Sequence, residues 1–377
     1  MRVLLVGGGT AGHINPALAI AGTLKEKRPD TVFLFAGVPT GMEFTLVPKA
    51  GYEIQPIEVM GFYRGIKPRD FSHNLKAVKC LTTAGGRAKK IIRDFAPDVV
   101  IGTGGYVSGP VVQAAQKLGI PTVIHEQNAF PGVTNKLLAR KADVICLAVE
   151  RAKDHMKLPA DRRVVVTGNP VRAEILHKTR EEARRELGMD DAPCILSFGG
   201  SLGARAINQV AADLMAWHTP AGKINHIHAY GKFGKDQFPR FLAERGVNPK
   251  QNPRLDIRPY IDNMDTCLAA ADLVVCRAGA ITLSELEITG KASVLIPSPN
   301  VAENHQYHNA RVLSDHGAAI LVEEAKYDRD ALIEQMETLF ADPAALRQLG
   351  EKAKELAIPD TAERICDEII RLVEEKE

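Results

Sequence analysis

Three segments of this 377-residue chain set glycines between a short apolar run and a helix-like stretch. They are Gly7-Gly8-Gly9-Thr10-Ala11-Gly12-His13, Gly199-Gly200-Ser201-Leu202-Gly203-Ala204 and Arg277-Ala278-Gly279-Ala280. Glycine lets backbone approach a ligand, and a helix N-terminus attracts negative charge, so such loops suit a phosphate. The first also satisfies the dinucleotide spacing Gly7-x-Gly9-x-x-Gly12. A dinucleotide site wants an acid at the end of the next strand to hold the ribose. Here that strand ends Phe35-Ala36-Gly37, which weakens a nicotinamide-dependent oxidoreductase. A single glycine loop serves a tight turn equally well. Several, in two patterns that restart, fit better a ligand lying between two domains at the carboxyl ends of strands.

Other polar groups carry weaker signals. His125-Glu126-Gln127-Asn128 follows the apolar Thr122–Ile124, where α/β proteins place their sites, although a surface loop reads the same way. Glu285 lies early on a helix, where an acid favours the dipole. Glu303-Asn304-His305-Gln306 reads as a polar helix start. Asp328 and Asp330 precede an apolar run, which suits a helix cap better than a metal, so no metal is expected.

The elements that must position these groups alternate between strand and helix. Val3–Val6, Thr31–Phe35, Val99–Ile101, Thr122–Ile124 and Asp143–Cys146 read as buried strands, with a helix at Pro16–Leu24. Asn15 is the expected cap of that helix and Pro16 its first turn. The pattern restarts at Ile195–Phe198 and continues through Ile224–Ala229, Leu273–Val275 and Ser293–Ile296. Short β-branched runs between helices imply parallel sheets covered on both faces. The expectation is two doubly wound α/β domains, Rossmann-like, over residues 1–166 and 167–357, with the strand-like run Val164–Val166 and the turn Thr167-Gly168-Asn169-Pro170 at the boundary. Residues 358–377 read as a helix packing back on the first domain. Asp360 and Glu363 resemble its N-cap box, and Ile365, Ile369 and Leu372 form its apolar stripe.

Composition narrows the function classes. The chain is 45% hydrophobic and 25% charged, with a formal net charge of only +2, so it is not basic throughout. Aromatic residues at 5% are thin for base stacking, and no nucleic-acid partner is expected. The six cysteines form no C-x-x-C pair, which points to a reducing compartment. The N-terminus does not read as a secretory signal, and no apolar stretch approaches a span of ~18 residues. One stretch is lopsided. Between residues 64 and 93, nine lysines and arginines face the single acid Asp70, interleaved with Phe71, Leu75, Val78 and Leu81. A solvated basic helix and a patch for an anionic membrane surface are both consistent with it.

Taken together, the motifs resemble a known family. Gly8–His13, Gly104-Gly105-Tyr106-Val107-Ser108-Gly109-Pro110, His125–Asn128, Gly168-Asn169-Pro170-Val171-Arg172, Gly199–Ser201, Arg277–Glu285 and Asn304-His305-Gln306 recur in order. The chain resembles the N-acetylglucosaminyltransferases that make lipid II in peptidoglycan synthesis, over nearly its whole length. The resemblance implies a GT-B type fold with the active site in an interdomain cleft. It implies inverting transfer of GlcNAc from UDP-GlcNAc to the C4 hydroxyl of MurNAc in lipid I, with no cofactor. Backbone around Ile261 would hold uracil and Glu285 the ribose hydroxyls. The Ala280-Ile281-Thr282 helix start and Ser201 would face the diphosphate, with Arg172 near and Leu283 and Ser284 in the same motif. Gln306 and Asn309 would read the sugar hydroxyls. Thr10, Ala11, Gly12 and Asn128 would complete the pocket, and Gly104, Gly105, Tyr106 and Asn135 would lie by the acceptor pyrophosphate. Ala11 stands where the family usually has glycine. If that position needs positive φ, alanine costs roughly 1 kcal/mol.

The residues agree with that chemistry. Transfer develops negative charge on departing UDP, which helix N-termini and an arginine stabilise without a metal. The attacking hydroxyl needs a base, and His13 and Glu126 are the catalytic candidates. His13 is favoured because a neutral imidazole is a competent base near pH 7. The basic patch (Phe71, Leu75, Lys76, Val78, Lys79, Leu81) would bring the protein to the cytoplasmic face of the cell membrane as a peripheral enzyme, among cell-wall synthesis proteins. A nicotinamide oxidoreductase, a non-catalytic sugar-nucleotide binder or scaffold, and a related transferase with another acceptor remain as alternatives.

Overall fold

The structure, a computed structural model, describes residues 1–60 and 68–376, with the side chains of 68–79, 81, 82 and 173 outside the description. The chain forms two compact units, Met1–Val171 with Ile358–Glu377, and Arg172–Ala357. The first unit thus runs on past residue 166, through the extended turn that the sequence placed at the boundary.

The first unit holds a seven-stranded sheet: β1 (Arg2–Gly7), β2 (Val32–Gly37), β3 (Ile54–Pro56), β4 (Val99–Gly104), β5 (Thr122–Glu126), β6 (Val144–Leu147) and β7 (Arg163–Val166). All pairs are parallel, in the order β3-β2-β1-β4-β5-β6-β7. Side chains alternate between faces along a strand, and both faces here are buried. Val3 and Leu5 enter one core with Ile14, Ile20 and Ile101, whereas Leu4 and Val6 enter the other with Val100, Ile124 and Ile145. That explains the unbroken apolar run of β1.

The second unit repeats the plan with β8 (Cys194–Phe198), β9 (Asn225–Ala229), β10 (Leu255–Arg258), β11 (Leu273–Cys276), β12 (Ala292–Leu295) and β13 (Ile320–Leu321). Their order is β10-β9-β8-β11-β12-β13, again parallel. Both units are therefore doubly wound Rossmann-like layers of the kind found in GT-B proteins. Each sheet reverses its strand order at one place, between β1 and β4 and between β8 and β11. In such sheets ligands bind beyond the carboxyl ends of the strands at that switch.

The helix Thr361–Glu374 belongs to the first unit and buries Ile365, Cys366, Ile369, Leu372 and Val373 in the core shared with the helix Ala11–Lys27. Arg163 on β7 pairs with Glu368 at 2.5 Å, and Lys27 with Asp367 at 2.6 Å. The expected N-cap box is not formed, because Asp360 sits at φ 56° and its side chain accepts no capping bond. The first helix also differs from its sequence reading. It begins at Ala11 with Thr10 as N-cap, so Asn15 and Pro16 lie inside it. Pro16 is the sixth helical residue and is buried; lacking an N–H, it cannot make the usual i→i−4 bond to the Gly12 carbonyl. Asp328 caps its helix as read, accepting from the N–H groups of Asp330 and Ala331.

The helix Pro68–Phe95 carries the basic stretch from Arg69 to Arg93, while Arg64 and Lys67 lie outside the described residues. Phe71, Leu75, Lys76, Val78, Lys79 and Leu81 lie outside the described side chains. Among the described residues, no helix is long and apolar enough to cross a membrane.

Candidate functional site

In the first unit the switch between β1 and β4 gathers the first glycine loop and the Gly104–Tyr106 loop. His13 stands in the first turn of the helix Ala11–Lys27. Its Nδ1 lies 3.1 Å from the Gly8 carbonyl oxygen and 3.2 Å from Thr10 Oγ1. A carbonyl only accepts, so Nδ1 carries the hydrogen in the neutral ring and Nε2 the lone pair. That is the tautomer a base needs. The Thr103 hydroxyl, at the end of β4, donates to the His13 carbonyl at 2.7 Å and ties this helix start to the neighbouring strand.

Gly104 and Gly105 have φ of +109° and +79°. A Cβ at Gly104 would fall 2.7 Å from His13 Cδ2, and one at Gly105 only 2.3 Å from the Gly8 carbonyl oxygen. Glycine is required at both for the β4 loop to close on the histidine. Tyr106 is 40% exposed beside Gly9, and burial together with the charge of Glu43 pushes its phenol pKa up. Thr10, Gly12, Gly104, Gly105 and Tyr106 are thus brought together around His13. Ala11 is the first helical residue and is not among the positive-φ positions, so the cost anticipated for alanine does not arise.

Glu126 ends β5 and is 2% exposed. One carboxylate oxygen accepts the Asn128 N–H at 2.9 Å and Asn128 Nδ2 at 3.0 Å. The other accepts the Gly132 N–H at 3.1 Å and Asn135 Nδ2 at 2.9 Å. Four donors converge on this carboxylate. Its neighbour His125 is fully buried, donates from Nε2 to the Gly168 carbonyl at 3.0 Å, and is held neutral by burial, with its pKa lowered to about 4. Asn135 is itself buried, its amide donating to Glu126 and to the His125 carbonyl, so its side chain belongs to the loop rather than to an open surface.

In the second unit the switch between β8 and β11 gathers the other two loops. Ser201 is exposed at the tip of the first. The helix Ala280–Thr289 starts after Gly279 with no side-chain cap, so the N–H groups of Ala280, Ile281 and Thr282 point past its end. Leu283 and Ile261 are buried in the core at 4% and 3% exposure, which leaves only their backbone for a ligand. Ser284 follows on the same helix. Glu285 is 8% exposed; burial raises its carboxyl pKa, and the Arg172 guanidinium opposes that rise. The guanidinium reaches one Glu285 oxygen at 3.2 Å from Nη2 and 3.4 Å from Nε. The two residues expected on ribose and diphosphate are therefore each other's partners here. Gln306 accepts the Ser298 N–H through Oε1 at 2.8 Å, and Asn309 is buried and donates to the Ala278 carbonyl at 3.2 Å. Glu303 and Asn304, just before them, hold φ of 54° and 50°, a conformation costly for residues other than glycine.

The sequence reading missed Glu43, which lies 1% exposed behind the first glycine loop. Its signal was an acid set between Gly41 and an apolar helix directly after β2. Among the described residues, no group of three or more His, Cys, Asp or Glu is placed to hold a metal ion.

Residues 3–147 match the glycosyltransferase family 28 N-terminal domain, and residues 194–365 match its C-terminal domain. A protein of Acetivibrio thermocellus named UDP-N-acetylglucosamine--N-acetylmuramyl-(pentapeptide) pyrophosphoryl-undecaprenol N-acetylglucosamine transferase is 45% identical over 377 residues, spanning 100% of this chain and 99% of its own. One of the same name from Desulforudis audaxviator is 41% identical, covering 99% and 98%. The crystal structure of Acinetobacter baumannii MurG superposes with a TM-score of 0.76 at 31% identity, covering 98% of this chain and 99% of that one. With both domains matched in order and relatives alike from end to end, the chain belongs to glycosyltransferase family 28.

Proposed function

We propose that this chain transfers GlcNAc from UDP-GlcNAc to the C4 hydroxyl of MurNAc in lipid I, giving lipid II for peptidoglycan, with inversion and without a metal. The full-length relatives carry names for transfer to a lipid-linked muramyl acceptor. The observation that carries the mechanism is the 3.1 Å approach of His13 Nδ1 to the Gly8 carbonyl oxygen, from which the Nδ1-protonated tautomer, with the lone pair on Nε2, follows. Nε2 takes the proton of the C4 hydroxyl as that oxygen attacks the anomeric carbon. The bond from that carbon to the diphosphate oxygen breaks, and its electron pair leaves with UDP. The uncapped N–H groups at Ala280–Thr282 receive the growing negative charge. Glu126, saturated by four donors, organises the loop that carries Asn128 and Asn135 and leaves proton removal to His13.

In this reading Arg172 keeps Glu285 charged until the donor's ribose hydroxyls take up that carboxylate. The basic helix 68–95 places the enzyme on the anionic cytoplasmic face of the membrane, where a lipid-linked acceptor is presented and other cell-wall synthesis proteins work.

The test is UDP release from UDP-GlcNAc with and without a lipid I analogue, in EDTA. Acceptor-dependent release that survives EDTA is expected. Release only with a different acceptor would transfer the reading to a related transferase. Loss of activity in EDTA, restored by a divalent ion, would remove the metal-free part.

A further inference from the structure

We infer that Glu43 is a positioning residue that sets the tautomer of His13 by clamping the Gly8–Gly9 peptide in one orientation. This rests on the reading of His13 as the base. Glu43 opens the short helix Glu43–Lys49 after β2 and is almost wholly buried. Its Oε2 accepts the N–H of Gly9 at 3.3 Å, and its Oε1 accepts the N–H of Val38 at 3.0 Å. One carboxylate thus ties the loop after β1 to the loop after β2. A Cβ at Gly8 or at Gly41 would fall 2.5 Å or 2.4 Å from this carboxyl group, so both positions leave the space it fills.

The consequence follows from peptide geometry. The Gly8 carbonyl and the Gly9 N–H belong to the same trans peptide unit, so they point in opposite directions. Holding the Gly9 N–H towards Glu43 turns the Gly8 oxygen the other way, and there it meets His13 Nδ1 at 3.1 Å. An ionised carboxylate is an acceptor only, so it accepts a Gly9 N–H and cannot donate to a Gly8 carbonyl turned towards it. It therefore selects one of the two peptide orientations. Both residues of this unit are glycine, and Gly9 already sits at φ +83°, so side chains put no barrier to the flipped form.

In the flipped peptide the Gly9 N–H would face the His13 ring. Nδ1 would then accept, the proton would move to Nε2, and the nitrogen that takes the acceptor's proton would no longer have a lone pair. The same clamp commits the Gly9 N–H to a carboxylate, which takes it out of service as a phosphate donor. The first glycine loop is thus built to orient a base.

The test is ¹⁵N spectroscopy of the histidine rings in the full chain, with steady-state kinetics. In the parent protein His13 should show a protonated Nδ1 and an unprotonated Nε2. Glu43→Ala should shift the neutral ring towards the Nε2-protonated form and lower kcat on the order of 10²-fold, the low end of what a general base supplies. KM for UDP-GlcNAc should stay unchanged. Glu43→Gln retains a side-chain oxygen that can accept, and should fall between the two. In a His13→Ala background, Glu43→Ala should lower kcat no further, since residues acting through one group are non-additive. An unaltered tautomer in Glu43→Ala, or a full additional loss in the double variant, overturns the clamp. Near-normal kcat in His13→Ala alone would instead remove the base assignment, while the ring spectra would still report whether Glu43 controls the tautomer. Thermal melting of each variant, with UDP binding measured alongside, identifies a protein that has failed to fold.

Discussion

Arg172 Nη2 stands 3.2 Å from Oε1 of Glu285, a carboxylate that is 8% exposed. Burial alone would favour the protonated acid, and the guanidinium counters it. On the proposed reading, the guanidinium thereby keeps Glu285 available as an acceptor for the donor's ribose hydroxyls. Arg172→Ala should raise KM for UDP-GlcNAc by about ten- to a hundredfold, the worth of one charge-assisted hydrogen bond. The pH dependence gives a sharper readout. Without Arg172 the Glu285 pKa climbs further, so the gain in donor affinity with rising pH should come at a higher pH in the variant than in the parent. Over the range where the variant gains, the parent's affinity should change less. Calorimetric titration with UDP-GlcNAc across pH tests this, and parallel curves for the two proteins would contradict it.

His13 and Glu126 should separate in kinetics. His13→Ala should lower kcat by roughly 10²- to 10⁴-fold with little change in donor KM, because it removes a proton acceptor used only in the transition state. Glu126→Gln keeps one oxygen for the four N–H donors and sets its amide against the others, so the 128–135 loop should loosen. The expected result is a raised KM for the acceptor and a lower Tm, with kcat at saturating acceptor largely retained. Near-normal kcat in His13→Ala together with abolished turnover in Glu126→Gln would exchange the roles.

Neutralising Lys76, Lys79, Lys89 and Lys90 should weaken binding to anionic vesicles. At about 1 kcal/mol for each lysine near the surface, the combined loss is on the order of a thousandfold at low salt. Lys90 already pairs with Asp94 at 2.5 Å, so its single replacement should matter least. Sedimentation with vesicles of graded anionic content measures this. Equal retention of parent and variant at low salt would count against the patch.

The two sheets were legible because their central strands are buried on both faces and read as unbroken apolar runs, as in Val3–Val6 and Ile195–Leu196. The strands that escaped notice, β3, β10 and β13, lie at sheet edges. Ile54–Pro56 and Leu255–Arg258 are partly exposed and mix polar with apolar residues, so nothing in their composition marks them. The glycine loops were legible because tight approach leaves only glycine at Gly104 and Gly105. Glu43 was not, since a carboxylate's role depends on which backbone N–H groups a distant loop turns towards it. The pairing of Arg172 with Glu285 joins residues 113 apart in sequence, which no local pattern encodes. Asp360 misled in the opposite sense, with capping chemistry in its residue type and a left-handed backbone that prevents it.

Acid should open the second unit before the first. Three buried histidines in the second unit form one hydrogen-bonded chain. His218 Nε2 lies 3.0 Å from His226 Nδ1, and Ser197 Oγ lies 2.8 Å from both His226 Nε2 and His228 Nδ1. Burial lowers His218 to about 4 and His228 to about 3, and holds His226 well below its ordinary value, helped by the charges its two neighbours would carry. In the first unit His125 is the comparable residue, at about 4. All four are neutral when folded, while the unfolded chain binds protons at about 6.5. Below that pH the unfolded state takes up more protons, so stability is full above about pH 6.5 and falls as pH drops towards 4. At 1.36 kcal/mol per unit, His125 alone accounts for about 3 kcal/mol over that window. The histidine chain of the second unit should be worth more, although its members are coupled and will not add. Calorimetry across this range, with hydrogen exchange to locate the first segment to open, should show protection lost first at β8 and β9. His226→Phe should flatten the dependence. A Tm independent of pH between about 6.5 and 4.5, or first opening around β5, would refute the account.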